Sequence, residues 1–132
     1  MVLWSGYVFF ILLNCTRTNR TNLRFNIFST SEMVLLNGFM IQKYNKNTGK
    51  YIYHHDFSVE KDNYRVITYL WYLNDVEEGG ETEFFGHENQ CIKPEKGKLI
   101  LFPASPFYPH RGKVPINSDK YIITGWFYIK YN

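Results

Sequence analysis

From residue 39 onward, short runs rich in Tyr, Ile, Val, Phe and Thr alternate with polar, Gly- and Pro-containing clusters. Runs of this length and composition, punctuated in this way, are read as β-strands. Eight are expected, near 39–44, 50–57, 64–73, 82–86, 90–93, 98–103, 109–114 and 120–130. Between them lie "NKNTG", "SVEKDN", "NDVEEGG", "GHEN", "PEKG", "PASPFY" and "PINSD". Short strands at such spacing, with no long helix among them, predict a sandwich or a double-sheet jelly roll. The run "YRVITYLWYL" is apolar or aromatic at nearly every position and reads as a central strand with both faces covered.

The chain before residue 39 has another character. "MVLWSGYVFFILLNC" is mostly apolar over residues 1–13. That is shorter than the ~20 residues a membrane-spanning helix needs. It lacks the basic start and small-residue cleavage site of a signal peptide. It is read as a packed helix or strand, with a membrane anchor or an uncleaved signal as the alternative. A soluble intracellular setting is the matching expectation, with a secretory or membrane-anchored one tied to residues 1–13. Two N-x-T triplets follow, at Asn14 and Asn19, in a polar stretch over 14–26 expected to be a loop. In "STSEMVLLNGF", Ser29 or Thr30 can cap a short helix near 30–37, with Glu32 in its first turn and Gly38 as its stop.

Composition narrows the class. A chain of 132 residues suggests one domain, and 19% aromatics with 11 Tyr and 11 Phe favours a β-rich core. The net charge of +3 comes from scattered basic residues, so no stripe supports nucleic-acid binding. Two cysteines, Cys15 and Cys91, are too few for a disulfide framework and are read as free thiols.

Candidate chemistry gathers at "YIYHHDF", residues 51–57. Alternate residues of a strand share a face, so His54 and Asp56 point one way and His55 the other. The useful unit is therefore His54-x-Asp56, and a metal site needs a third ligand from elsewhere. His87 lies in a turn, whereas His110 opens a late strand. A second histidine from that strand would complete a two-histidine, one-carboxylate face, the arrangement that leaves open positions on non-haem Fe(II). Ten residues later, Lys120 opens "KYIITGWFYIKY". A lysine buried at the end of such a pocket is costly without an anion, and a dicarboxylate cosubstrate would supply one.

The segments "YNKNTGKYIYHHDF", "YRVITYLWYLNDVEEGGETEFF", "IKPEKGKLILFP" and "PHRGKVPINSDKYIITGW" occur in an order and spacing that resemble the 2-oxoglutarate- and Fe(II)-dependent dioxygenases, in particular their prolyl 4-hydroxylase-like branch. The resemblance runs from about residue 39 to the end. It implies a mainly β double-stranded β-helix, a cupin-like jelly roll, over 39–132; the residues before it, 1–38, are expected from their own pattern to form a supporting segment with a short helix. It implies Fe(II) held by His54, Asp56 and His110, and 2-oxoglutarate held by Lys120, Thr82 and Tyr44. Ascorbate is a candidate reductant. Arg65 and Trp126 correspond to residues lining the substrate side. The implied reaction hydroxylates a C–H bond, first of a peptidyl proline or similar side chain, then of smaller molecules, and releases succinate and CO₂. Where many members carry a further histidine two residues past the tryptophan, this chain has Tyr128. The stretch between Asp56 and Arg65 is short, and residues 1–36 have no counterpart.

Bland readings stand beside these. Gly79 and Gly80 make a hairpin turn, His55 packs on the outer face, Arg111 points away from His110, and Trp71 is core or pocket wall. Two other function classes remain in view: a catalytically silent jelly-roll binding module, and a cupin-type metalloenzyme that does not use 2-oxoglutarate.

Overall fold

A computed structural model describes residues 38–86 and 90–130 fully and, before them, only the backbone pairing of four short strands. The first two, β1 (Val2–Ser5) and β2 (Val8–Ile11), pair as an antiparallel hairpin, so the strand alternative holds for these parts of the apolar start. Two further short strands are β3 (Leu13–Asn14) and β4 (Val34–Leu36). The polar stretch expected as a loop falls mostly outside the described residues, as do Cys15 and His87. The helix expected near 30–37 is not what Val34–Leu36 form: they pair with Phe127–Ile129 as an edge strand. A helix of two turns is marginal by itself, whereas the flank of a long strand offers unpaired backbone groups at once.

The eight expected strands are all present, most with trimmed ends. They are β5 (Met40–Tyr44), β6 (Tyr51–His54), β8 (Asn63–Tyr72) and β9 (Thr82–Phe84) in the first half. In the second half come β10 (Cys91–Ile92), β11 (Lys98–Pro103), β12 (His110–Gly112) and β13 (Lys120–Lys130). A ninth, β7 (Val59–Glu60), is hidden in the polar cluster "SVEKDN", where Lys61 takes a positive φ of 52° and folds Val59 and Glu60 back onto Tyr64 and Asn63.

All pairings between these strands are antiparallel. One sheet has the order β3-β11-β8-β13-β4, with β5 also on β13 and β7 on β8; the other has the order β10-β9-β12-β6. The central placement expected for "YRVITYLWYL" is observed, with β11 on one side and β13 on the other. The expected double coverage is only partial. Thr68, Leu70 and Tyr72 are buried on the inner face, while Trp71 on the outer face keeps 38% of its surface exposed. Aromatics suit a pleated surface whether or not it is fully covered, which masked the period-two pattern.

The sheets pack face to face. Leu70 and Tyr72 of β8, Ile100 and Phe102 of β11 and Ile122 of β13 meet Phe84 of β9 in one core cluster. Phe84 and Phe102 touch edge to face, with ring centroids 4.9 Å apart, and Phe102 also lies 4.8 Å from the ring of His110. The hydrophobic core therefore forms the floor beneath that histidine.

Phe102 is 2% exposed. Phe102→Ala should destabilise the fold by ~3–5 kcal/mol, the range for removing a buried aromatic ring. A lowered urea midpoint at unchanged slope will show it.

Candidate active site

Strand β6 ends at His54 and β12 begins at His110, and the register of the pair places the two residues opposite one another. Their rings lie 4.3 Å apart, centroid to centroid. Asp56, two residues past His54 and 8% exposed, turns its carboxylate back between them. His54 Nε2 is 3.3 Å from Asp56 Oδ1, and His110 Nε2 is 3.6 Å from Asp56 Oδ2. One ligand atom from each residue lies within 4.8 Å of the others, so the group can hold a metal ion.

Backbone carbonyls orient both imidazoles. His54 Nδ1 faces Ile52 O at 2.9 Å, and His110 Nδ1 faces Tyr108 O at 3.1 Å. A carbonyl only accepts, so each Nδ1 carries the proton and, in the neutral ring, each Nε2 presents a bare lone pair. Two lone pairs and a carboxylate converging on one point repel unless a cation lies among them. The donor set thus fits a divalent metal of intermediate softness, and the fixed tautomer is the one that metal-ligating histidines adopt.

The electrostatics follow. Burial, the largest influence on Asp56, acts to raise its pKa. Hydrogen bonds with His54 and Thr68, aided by the nearby His110, outweigh it and bring the carboxyl down to about 2. Thr68 Oγ1 donates to Asp56 Oδ2 at 2.7 Å and fixes the carboxylate's orientation. Burial likewise acts to lower the pKa of His54, yet its bond to Asp56 raises it on balance. His110, more deeply enclosed, is shifted downward by burial.

Lys120 lies in the same pocket, 1% exposed. Its Nζ donates to Gly80 O at 2.9 Å and sits 4.2 Å from the centre of the Tyr44 ring. Burial pulls its pKa down to about 8. Thr82 is buried beside it in the lining, and Tyr72 donates its hydroxyl proton to Thr82 Oγ1 at 2.7 Å. Tyr44 lines the pocket too, and donates to Gln42 Oε1 at 2.8 Å. Its phenol is pushed up to about 12, chiefly by burial, and remains a neutral donor.

The remaining expected residues lie further out. Trp126 lines the pocket, and its indole N–H is buried without a partner among the described residues. Arg65 does not line it. Its guanidinium stacks 3.7 Å over the Trp126 ring, while Nε donates to the Tyr128 hydroxyl at 3.3 Å and Nη2 to Glu60 at 3.0 Å. His55 is exposed, as its place in the alternation requires. Arg111 forms a tight ion pair with Glu83 and lies 4.7 Å over the Tyr53 ring, although it also borders the pocket mouth.

Three contributors escaped the sequence reading. Thr68 and Tyr72 were hidden in the aromatic run, where period-two counting from Leu70 puts both on the inner face. Gly80 does more than turn the chain. Gly79 and Gly80 take φ of 73° and 74°, and a Cβ on Gly79 would run into the Val114 carbonyl. This left-handed pair brings the Gly80 carbonyl onto the Lys120 ammonium.

Residues 39–128 match the family model of the 2OG-Fe(II) oxygenase superfamily. Among curated proteins, a probable prolyl 4-hydroxylase 8 of Arabidopsis thaliana is 32% identical over 114 residues, covering 63% of this chain and 39% of the relative. Prolyl 4-hydroxylase 1 of the same plant is 31% identical over 97 residues, covering 55% and 34%. The chain therefore spans well under half the length of these relatives. Among solved structures, a Trichoplax adhaerens prolyl hydroxylase in complex with a hypoxia inducible factor oxygen degradation domain peptide fragment superposes with a TM-score of 0.59 at 30% identity. That match covers 73% of this chain and 46% of the other. A viral collagen prolyl hydroxylase from Paramecium Bursaria Chlorella virus-1, in a 2OG complex, gives a TM-score of 0.57 at 23% identity over 74% and 63%, a likeness of fold. The jelly roll expected from the strands is thus the fold these oxygenases share, and a cupin-type enzyme or a silent module is not favoured.

The geometry makes Thr68 a support of the Asp56 carboxylate in the candidate metal site. Thr68→Val, nearly isosteric, should weaken Fe(II) binding ~10–100-fold, as loss of a group that orients a ligand does, while His110→Ala abolishes it. Anaerobic metal titration followed by equilibrium dialysis measures both.

Proposed function

Because the chain belongs to the 2OG-Fe(II) oxygenase superfamily, we propose that it is an Fe(II)- and 2-oxoglutarate-dependent dioxygenase that hydroxylates a side chain of a peptide, peptidyl proline first. One observation carries the proposal: two Nε2 lone pairs and the Asp56 carboxylate converge at one end of a pocket in which a buried lysine also lies. Neither half has a use without the other. The ligand face leaves positions open for a chelating acid, and the lysine needs an anion.

Bound there, ferrous iron and 2-oxoglutarate would supply the O₂ chemistry that converts C–H to C–OH, the keto acid leaving as succinate and CO₂. The chain's own residues bind, orient and exclude water. His54, Asp56 and His110 hold the metal from one side. Lys120, protonated, pairs with the distal carboxylate of the cosubstrate. Thr82 accepts the Tyr72 proton, so its own hydroxyl proton is available to the same carboxylate. Tyr44, a neutral phenol beside Lys120, offers a further donor by leaving Gln42. Leu70, Ile122 and Phe102 give the pocket apolar lining, which strengthens the ion pair.

On the substrate side, Trp126 offers an indole N–H with no acceptor among the described residues, a cost that a substrate carbonyl would remove. Arg65 stiffens that wall by stacking on the indole, and Tyr128 stands as a hydroxyl acceptor for it where many family members carry histidine. The prolyl 4-hydroxylase relatives and the peptide-bound Trichoplax neighbour support a peptidyl substrate.

The test is succinate formation from 2-oxoglutarate by the Fe(II)-loaded protein, with proline-containing peptides stimulating it. Lys120→Ala should lose ~100-fold or more in 2-oxoglutarate affinity, as expected for breaking a buried charge pair, and still bind Fe(II). Unchanged affinity in this variant would remove Lys120 from the cosubstrate site.

A pH dependence follows. The free lysine titrates at about 8. A bound carboxylate raises that value, so binding takes up a proton once the pH exceeds about 8. The apparent Kd for 2-oxoglutarate should be level below that pH and then rise ~10-fold per unit. Titrations from neutral to alkaline pH at constant ionic strength will read this out, and Lys120→Ala should flatten the profile.

A further inference from the structure

We propose that Asn74 is the positioning residue for Lys120: its side-chain amide holds the two peptide groups that flank the lysine and so aims the ammonium into the pocket. The inference rests on the reading above, in which Lys120 binds the distal carboxylate of the cosubstrate.

Lys120 opens β13, the point where a strand is least constrained. On one side it has a regular partner, since Lys120 pairs with Tyr44 of β5. On the other side the ladder with β8 gives out just short of it. The last regular pair is Ile122 with Tyr72, and one further backbone bond follows, from Leu73 N to Tyr121 O at 2.9 Å. Continuing that register by two residues sets Asn74 opposite Lys120. There the chain leaves the sheet for the turn "NDVEEGG", and no backbone pair forms.

The Asn74 side chain takes over the missing pair. Its Nδ2 donates to Asp119 O at 2.8 Å, and its Oδ1 accepts from Tyr121 N at 2.8 Å. These are the carbonyl just before Lys120 and the N–H just after it. One planar amide therefore fixes both peptide planes around the lysine Cα, and with them the direction of its Cβ. A third bond, Nδ2 to Asp75 O at 3.0 Å, orients the amide itself. Asn carries a donor and an acceptor on one planar group at this short reach, whereas Gln carries the same amide one methylene further out.

The same segment also sets the far end of the lysine. The turn that starts at Asn74 ends at Gly79 and Gly80, and Gly80 O accepts from Lys120 Nζ at 2.9 Å. Asn74 thus holds the root of the side chain and Gly80 its tip. Asp119 adds a brace, accepting from Lys46 N at 2.7 Å and pairing with Lys43 at 2.9 Å, which ties the turn after Tyr44 to the same point. Asn74 makes no bond to the metal-site residues: His54 and His110 stand on β6 and β12, and Asp56, just past β6, is held by Thr68. An error at Asn74 should reach the cosubstrate's carboxylate tail and leave the iron alone.

The experiment uses the full chain, loaded anaerobically with Fe(II), and two keto acids. 2-Oxoglutarate has the distal carboxylate; 2-oxobutyrate lacks it. The readout is the ratio of their Kd values, taken from the absorption of the chelate or by calorimetry. Asn74→Ala should weaken 2-oxoglutarate ~10–30-fold, what two ordinary hydrogen bonds amount to, with 2-oxobutyrate and Fe(II) affinity unchanged. Asn74→Asp keeps the acceptor for Tyr121 N–H but sets a carboxylate against Asp119 O. It should lower the ratio as well, and it decides the matter if the alanine variant does not fold. The double variant N74A/K120A should bind 2-oxoglutarate no more weakly than K120A, because Asn74 acts through the lysine. A residue that merely caps the turn would lower the melting temperature and leave the ratio at its wild-type value, and that result overturns the inference. If K120A loses the preference for 2-oxoglutarate while N74A and N74D keep it, this inference alone falls. If K120A itself keeps the preference, the assignment of Lys120 falls and takes this one with it.

Discussion

Two histidines directly opposed across neighbouring antiparallel strands, each with Nδ1 tied to its own backbone, are the constraint on which the rest of the molecule turns. The β6–β12 register sets their separation, and the carbonyls of Ile52 and Tyr108 set their tautomers. Asp56 then completes a face that is electrostatically unsatisfied until a cation enters. Much of the surrounding architecture maintains this arrangement: Thr68 fixes the carboxylate from β8, and Phe84 and Phe102 support the His110 ring from both sheets.

The second centre of charge works by the opposite logic. The metal face gathers negative and lone-pair character that a cation relieves, while Lys120 is a cation enclosed until an anion relieves it. Its pKa of about 8 shows the cost of that enclosure. The pocket thus holds converging metal-site donors at one place and an enclosed ammonium, bonded to Gly80 O, at another, and the proposed chelating dicarboxylate would answer both. Thr82 and Tyr44 line the same pocket. At its edge, the Arg65–Trp126–Tyr128 stack forms a stiff wall whose indole N–H has no acceptor among the described residues.

The strand pattern was legible because turn clusters punctuate it, and His54, Asp56, His110 and Lys120 were legible because alternation and order along the chain restrict which side chains can meet. What escaped did so for identifiable reasons. The run around Thr68 and Tyr72 is so uniformly aromatic that its period of two is invisible, although both residues hold site groups. Gly80 looked like turn chemistry because a glycine's carbonyl carries no signature of what it binds. The segment Val34–Leu36 has the local marks of a helix but lies against the free flank of β13, where strand pairing satisfies its backbone.

Composition and pattern alone therefore determined the class of fold and the facing of His54 and Asp56, since these follow from local geometry. Only the tertiary structure decided which imidazole nitrogen turns toward Asp56, which hydroxyl orients Asp56, and that Arg65 braces Trp126 instead of entering the pocket. Those facts depend on register and on contacts between residues far apart in sequence. A one-residue slip between two strands would exchange every one of them while leaving the strands themselves, as read from the sequence, unchanged.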